Sequence, residues 1–227
     1  MDYIAIFIND TQQKIKIYTQ QIEELHSSFE KLNKTPNRQF AHEIVFGLLV
    51  SEYILKLKKP TIDDDVDAIF LWGRKLLEIL IVIKYLLRIN SFNMLSEYCD
   101  RDRYEYLEGL FYREKADDKL FAYLNIPHCD MSTQKEEIEQ IIKRHGKKPQ
   151  KMPSMKQMAE TVDYMDEYNY FYKLSSKMLH FCPFTLNGDS DFNSNIHKSG
   201  YIHRGTKYLE ELVEGLKSMY QKTLEVS

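Results

Sequence analysis

The clearest hydrophobic pattern along the chain is the segment Val66–Ile89, in which apolar residues occupy most positions. Within it, Arg74, Glu78 and Arg88 follow one another at spacings of four and ten residues. On an α-helix these three positions lie near one line along the surface, and the other sides are mostly hydrophobic. Because a helix that is apolar on three sides must be surrounded by other helices, the pattern predicts a central helix over 66–89.

The same segment is long enough to suggest a membrane span, but its charges argue against one. It carries five charged side chains after Asp67, and each of them is costly in hydrocarbon. The beginning of the chain has no basic leader, which is unlike a signal peptide. Three cysteines without a CxxC motif are typical of a reduced protein. We therefore expect a cytoplasmic protein with no membrane contact.

Amphipathic patterns separated by proline, glycine and asparagine predict further helices on both sides of the central one. They cover about 11–32, 40–58, 94–124, 133–144, 155–165, 167–181 and 201–224. No convincing alternation of apolar and polar residues longer than four positions indicates a strand. The predicted fold class is all-α. We expect one domain over 1–227, a bundle of about seven to eight helices, with a basic loop at 143–153 and an irregular loop at 182–200.

Four side chains capable of hydrogen bonding recur every four residues in the segment 166–181. They are Tyr168, Tyr172, Ser176 and His180, which on a helix form a nearly straight column of hydroxyls that ends in an imidazole. Histidine titrates near neutrality and is the commonest general acid or base. The alternative is purely structural, with tyrosines at the edge of the core and a histidine bonded to a carboxylate.

Arg74 and Glu78 are the second candidate. Four residues apart on a helix surface, they would form an ordinary exposed ion pair worth only about 0.3–0.5 kcal/mol. If their line faces a neighbouring helix instead, the buried charges need partners, and Tyr172, Ser176 and His180 are the natural ones. In the functional version of this hypothesis, Glu78 orients His180 and Arg74 binds a phosphate or another anion.

The stretch PSMKQMAETVDYMDEYNYFYKLSSKMLH (153–180), together with the Arg-x3-Glu helix of Arg74 and Glu78, carries a resemblance to a known superfamily. It looks like an uncharacterised group of bacterial helical proteins with a Tyr-x3-Tyr-x3-Ser-x3-His helix, which we associate with the HEPN superfamily. The resemblance covers about residues 40–182. It implies an all-α bundle and a homodimer. It also implies a setting in toxin–antitoxin, abortive-infection or other defence systems, where many HEPN proteins are metal-independent ribonucleases and others are non-catalytic.

The HEPN catalytic signature is Arg-x4–6-His, and this chain departs from it. Lys173 stands at the matching distance before His180, but lysine replaces arginine. A lysine neutralises a phosphate without the two-pronged donor geometry of arginine. The resemblance therefore implies His180 as the acid–base residue, with Arg74 or Lys173 stabilising charge on the phosphate.

A basic stretch, KRHGKKPQKMPSMK (143–156), contains no acidic residue. Its lysines Lys147, Lys148 and Lys151 are candidates for contact with an RNA backbone. The stretch has no aromatic residues for base stacking, so a solvated loop is the other reading. The net charge of −3 predicts no general attraction to nucleic acid.

Metal and cofactor motifs are not convincing in this sequence. Histidines and a cysteine that could be assembled into a zinc set have none of the usual spacings; they are His180, Cys182, His197 and His203. The run NGDSDFNSN (187–195) resembles a calcium loop without its closing carboxylate. There is no phosphate-binding glycine-rich loop, GxSxG or HExxH motif. We expect neither a metal nor a cofactor.

Two functional hypotheses follow. In the first, the protein is HEPN-like, belongs to a bacterial defence or stress system and binds RNA, and cleavage of that RNA by His180 is an open extension of the hypothesis. In the second, it is a non-catalytic helical module whose polar pocket fixes helix register. Its tyrosine-rich surface, 98–124, then binds a protein partner such as an antitoxin, or the module binds a nucleotide.

Overall fold

In the computed structural model, residues 3–34, 40–116, 132–179 and 194–224 are described, with 3–4 and 111–116 described by their backbone alone. Eight helices cover most of these residues, and no strand occurs among them. The predicted all-α class is confirmed. The helices are α1 (Tyr3–Asn33), α2 (Ala41–Lys56), α3 (Val66–Ile89), α4 (Met94–Ala116), α5 (Ser132–His145), α6 (Met155–Thr161), α7 and α8 (Asn195–Leu224). Helix α7 consists of the turn Met165–Glu167, the π-helical segment Tyr168–Tyr172 and the α-helical segment Lys173–Leu179.

The chain divides into two compact units. The larger unit contains Met1–Asn90 and Ser154–Ser227, and the smaller unit contains Ser91–Pro153. The hydrophobic pattern carries no sign of this division, because helical periodicity reports which face of a helix is buried but not which helix buries it.

Helix α3 is the centre of the larger unit, with the bounds that its hydrophobic pattern predicted. Its inward-facing side chains, including Leu76, Leu77 and Leu80, have no solvent exposure. Its most extensive contact is with α8. In this contact Gly205 faces Trp72 so closely that a Cβ atom at Gly205 would lie 2.2 Å from the indole ring. The missing side chain thus allows the backbone of α8 to approach α3.

Two predicted loops are shorter than expected. Helix α8 begins at Asn195 rather than near Tyr201, so the expectation of an irregular loop through residue 200 is wrong for 195–200. Ser194 caps the helix, since its hydroxyl accepts a hydrogen bond from the backbone N–H of His197 at 3.4 Å. Likewise, 143–145 belong to the last turn of α5, where basic side chains interact favourably with the helix dipole.

Candidate functional site

Helix α7 packs against α3 where a glycine of α3 faces a phenylalanine of α7. Gly73 faces the ring of Phe171, and a Cβ atom at Gly73 would lie 2.8 Å from that ring. Phe171 is fully buried and belongs to the π-helical segment of α7. Such segments are rare and are frequent at functional sites. Tyr172 follows Phe171, and Arg74 follows Gly73. This contact therefore brings Tyr172 close to Arg74.

The guanidinium of Arg74 is held by three side chains. Its Nε donates to Oε1 of Glu78 at 2.9 Å, its Nη1 to the hydroxyl of Ser176 at 2.8 Å, and its Nη2 to the hydroxyl of Tyr172 at 3.1 Å. The guanidinium also lies over the Tyr172 ring, 4.5 Å from its centroid. Of the three partners considered for a buried Arg74, Tyr172 and Ser176 contact it in the structure. We call Arg74, Glu78, Tyr172 and Ser176 the Arg74 centre.

The Arg74 centre is only partly accessible to solvent and has an excess of positive charge at its edge. The side chains of Arg74 and Glu78 are 15% and 22% exposed. Lys75 shares the carboxylate, with its Nζ 3.2 Å from Oε2 of Glu78. The described contacts use three of the five N–H donors of Arg74, so two donors are left for an anion. Two cations and one carboxylate can therefore accommodate a further negative charge.

Lys173 lies beside the Arg74 centre but does not contact Arg74. Its Nζ donates to Oδ1 of Asn169 at 2.7 Å and lies 5.8 Å from the centroid of the Tyr168 ring. Tyr168 in turn stacks on Tyr172, with centroids 4.9 Å apart and planes inclined by 17°. The two tyrosines thus separate the ammonium from the guanidinium.

The candidate acid–base residue, His180, lies outside the described residues, which in this part of the chain run to Leu179. Cys182 and most of the run 187–195 lie outside them as well. Of the helix predicted over 167–181, the structure describes the part up to Leu179.

The three candidate lysines of the basic stretch belong to the smaller unit. Lys148 lies 3.4 Å from the carboxylate of Glu108, and Lys151 lies 3.5 Å from that of Glu105. Lys147 is exposed. Since acids of α4 neutralise two of the three lysines, the stretch is less positive in the folded unit than its sequence indicates.

A second arginine cluster was not predicted from the sequence. Arg204 of α8 donates from Nε to Oε2 of Glu167 at 2.9 Å and lies over the Tyr170 ring, 4.6 Å from its centroid. Tyr208 donates its hydroxyl to the same carboxylate. Burial raises the pKa of Glu167, but the hydrogen bonds from Arg204 and Tyr208 outweigh it and hold the pKa below its ordinary value. We call these four residues the Arg204 cluster.

The only sequence signal for the Arg204 cluster is the spacing of Arg204 and Tyr208, four residues apart on a helix. Glu167 lies far away along the chain, at the first position of the predicted helix 167–181. Nothing local to Glu167 identifies an arginine as its partner.

Metal ligands are not grouped in the described residues. Within 3–34, 40–116, 132–179 and 194–224, no three His, Cys, Asp or Glu side chains are placed to hold one ion. Of the histidines considered for zinc, His203 packs against the ring of Phe7, with centroids 4.9 Å apart. His197 has its Nδ1 2.9 Å from the hydroxyl of Ser194. Among the helices that the structure describes, none has the length and apolarity needed to cross a membrane.

Comparison with protein families gives one match. Residues 63–197, more than half of the chain, match DUF5677, a family of unknown function. The chain belongs to the DUF5677 family. The DUF5677 match begins just before α3 and includes every residue of the Arg74 centre, whereas Arg204 and Tyr208 lie beyond it. No curated protein and no solved structure matches the chain significantly.

Proposed function

We propose that this DUF5677 protein is a HEPN-like RNA-binding protein of a bacterial defence or stress system, and that it cleaves RNA without a metal ion. The observation that carries the proposal is the Arg74 guanidinium, which Glu78, Tyr172 and Ser176 fix in one orientation. A planar guanidinium held in this way is suited to bind a phosphate through two parallel hydrogen bonds. The biological setting rests on the HEPN resemblance alone.

The chemistry follows from the ribose of the substrate. The 2′-oxygen attacks the adjacent phosphorus, the bond from phosphorus to the 5′-oxygen breaks, and a 2′,3′-cyclic phosphate forms. His180 removes the proton of the 2′-hydroxyl while water protonates the leaving 5′-oxygen, or His180 protonates that oxygen while water accepts the proton of the 2′-hydroxyl. Arg74 stabilises the negative charge that develops on the phosphoryl oxygens. Because Lys173 is hydrogen-bonded to Asn169, we expect it to attract the RNA by its positive charge without contacting the scissile phosphate.

The position of the candidate base along the chain supports this assignment. His180 follows Ser176, which accepts a hydrogen bond from Arg74, by four residues. The same spacing separates Tyr172 from Ser176. The lysines of the smaller unit contribute less, because Lys148 and Lys151 are paired with carboxylates.

The test is cleavage of a single-stranded RNA in the presence of a chelator. The wild-type protein is expected to produce 2′,3′-cyclic phosphate ends. His180→Ala is expected to lower the rate by about 10²–10⁴-fold, the range for general acid–base catalysis, with an unchanged melting temperature. Arg74→Lys keeps the charge but loses the paired donors, so RNA binding and cleavage should both fall.

Arg88→Lys is the matched control, since Arg88 lies on the same helix and its side chain is 59% exposed. This variant should bind and cleave RNA like the wild type. The proposal is refuted if the wild-type protein neither binds nor cleaves RNA. It is also refuted if Arg74→Lys and Arg88→Lys have the same effect.

A non-catalytic interaction module is the second candidate, and Glu78 favours it. The carboxylate occupies one edge of the Arg74 guanidinium and would repel a phosphate there. In this case the Arg74 centre fixes the register of α7 on α3, and a protein partner binds elsewhere, for example on the tyrosine-rich α4, where Tyr106 is exposed. This candidate would be supported if the wild type and all variants fold but none binds RNA, and if Arg74→Lys lowers the melting temperature.

A further inference from the structure

A groove with no assigned role lies between the end of α2 and the first half of α3. Apolar and aromatic side chains dominate its lining: Tyr53, Leu57, Pro60, Leu71 and Trp72. It encloses about 260 Å³, just below the range of roughly 300–1,000 Å³ that is usual for small-molecule sites. A cavity of this size fits a single ring system better than a large cofactor. We call it the α2–α3 groove.

Two of the apolar and aromatic side chains that line the groove are exposed to solvent. Tyr53 is 44% exposed and Leu71 is 47% exposed, although both stand on helices of the larger unit. Trp72, in contrast, is 4% exposed and forms part of the inner wall. The exposed ring of Tyr53 provides a flat apolar surface on which a second ring can stack.

One residue of the groove, Lys75, is hydrogen-bonded to the Arg74 centre. Lys75 lines the groove, and its Nζ is 3.2 Å from Oε2 of Glu78. The other oxygen of that carboxylate is 2.9 Å from Nε of Arg74. Two hydrogen bonds therefore connect the edge of the groove to the guanidinium, and both ends of this connection are cationic.

The polar groups around the groove are already engaged with one another. Lys58 is bonded to Asp64, and Asp64 also accepts from the backbone N–H of Thr61 at 2.8 Å. The carbonyl of Pro60 accepts from the side chain of Gln12 at 3.0 Å. The groove thus offers ring faces and the positive charge of Lys75 rather than a set of free hydrogen-bonding partners. It favours a ligand that joins an apolar ring to an anion.

We propose that the α2–α3 groove holds one nucleobase of the RNA whose phosphate lies at the Arg74 centre. The inference rests on the proposed function and names the part of the substrate that this function leaves unassigned. Lys75 contacts the phosphate on the groove side, and Tyr53 stacks on the base. Because stacking on an aromatic side chain is tolerant of base identity, the site accepts purines and pyrimidines.

The chain contains a single tryptophan, so Trp72 reports on the groove without a label. Adenosine 5′-monophosphate and uridine 5′-monophosphate are expected to quench its fluorescence on binding. Ribose 5-phosphate, which lacks a base, should compete for the phosphate site and leave the fluorescence unchanged. Base–aromatic stacking is worth enough that Tyr53→Ala should weaken nucleotide binding at least about fivefold.

Leu49→Ala is the matched control. Leu49 lies one turn before Tyr53 on α2 and is 58% exposed, but it does not line the groove. This variant should bind both nucleotides like the wild type. Tyr53→Ala should leave the affinity for ribose 5-phosphate unchanged, because the Arg74 centre is intact in it.

An RNA oligonucleotide and the same oligonucleotide with one abasic residue separate the two proposals. If RNA binds and neither the abasic residue nor Tyr53→Ala alters its affinity, the groove inference is refuted and the RNA-binding function stands. If no RNA, nucleotide or ribose 5-phosphate binds, both are refuted. If Tyr53→Ala converts a dimer into a monomer without altering nucleotide binding, a second copy of the chain occupies the groove and the inference is refuted.

Discussion

Arg74 and Arg204 both hold side chains of α7, but they do so in different ways. Arg74 divides its donors among one carboxylate and two hydroxyls, and it shares that carboxylate with Lys75. Arg204 directs two of its nitrogens to the two oxygens of Glu167, which Tyr208 also contacts. The first arrangement has one more cation than carboxylates, whereas the second is neutral.

This difference indicates what each arginine is for. A bidentate arginine–carboxylate pair satisfies both charges and fixes two elements to each other. The Arg204 cluster therefore stabilises the contact of α7 with α8. The Arg74 centre fixes the guanidinium equally well but leaves donors and positive charge for a ligand. We expect substitutions in the Arg204 cluster to change stability, and substitutions in the Arg74 centre to change binding as well.

The largest effect is expected at Gly205, the residue after Arg204. In Gly205→Ala the new methyl group would lie 2.2 Å from the Trp72 ring, which is only 4% exposed. Overpacking of this kind should lower the free energy of unfolding by about 3 kcal/mol. Urea denaturation measures this loss.

Gly200→Ala is the control for that substitution, because it lies on the same helix with nothing within 4 Å of the added methyl. It should stabilise the protein by up to about 1 kcal/mol through helix propensity. Equal effects of the two alanines would show that Trp72 and α8 are less closely packed than described.

Glu167→Gln should cost about 2 kcal/mol at neutral pH, since it removes charged hydrogen bonds to Arg204 and Tyr208. The pKa of Glu167 in the folded protein lies below its ordinary value of 4.5. Its stabilisation is therefore present above pH 4.5 and is lost as the pH falls through the folded pKa. The wild type should lose stability over this acid range more steeply than the variant in urea denaturation at a series of pH values. Parallel curves would contradict the role given to Glu167.

Gly73→Ala is the counterpart of Gly205→Ala on the other side of the comparison. The added methyl would lie 2.8 Å from the end of the Phe171 ring, so a loss of about 1–2 kcal/mol is expected. Because Phe171 directly precedes Tyr172, its displacement should also disturb the Arg74 centre and weaken RNA binding. Glu167→Gln, which alters the Arg204 cluster alone, should bind RNA normally. Gel-shift titration of an RNA oligonucleotide, at a temperature where Gly73→Ala and Glu167→Gln are both folded, tests this. A matching loss in both would remove the distinction between the two arginines.

The smallest effects are expected from the two tyrosine hydroxyls. Tyr208 is 2% exposed, so Tyr208→Phe leaves the partly buried Glu167 carboxylate without one of its donors and should cost about 1.5 kcal/mol. Tyr172 is half-buried, and water can replace its hydroxyl as an acceptor for Arg74. Tyr172→Phe should therefore cost about 0.5–1 kcal/mol in thermal denaturation. A larger loss for Tyr172→Phe would reverse the comparison.

Part of the Arg74 centre could be predicted from the sequence because its signal is local. Arg74 and Glu78 interrupt an otherwise apolar helix, and buried charges require partners. Tyr172 and Ser176 are the polar side chains of a second helix at the same four-residue spacing. The Arg204 cluster could not be predicted in this way, since Glu167 and Arg204 stand in different helices whose polar residues look like ordinary surface positions.

The sequence by itself determined the all-α class and the central helix, because hydrophobic periodicity and capping residues act within a few turns of one helix. The tertiary structure decided which helices pair, that the chain forms two compact units, and that acids of α4 neutralise two lysines of the basic stretch. It also decided that Gly73 and Gly205 are the points of close approach. These outcomes depend on contacts between residues far apart in the chain, and the order of residues along one helix does not specify which distant surface will cover it.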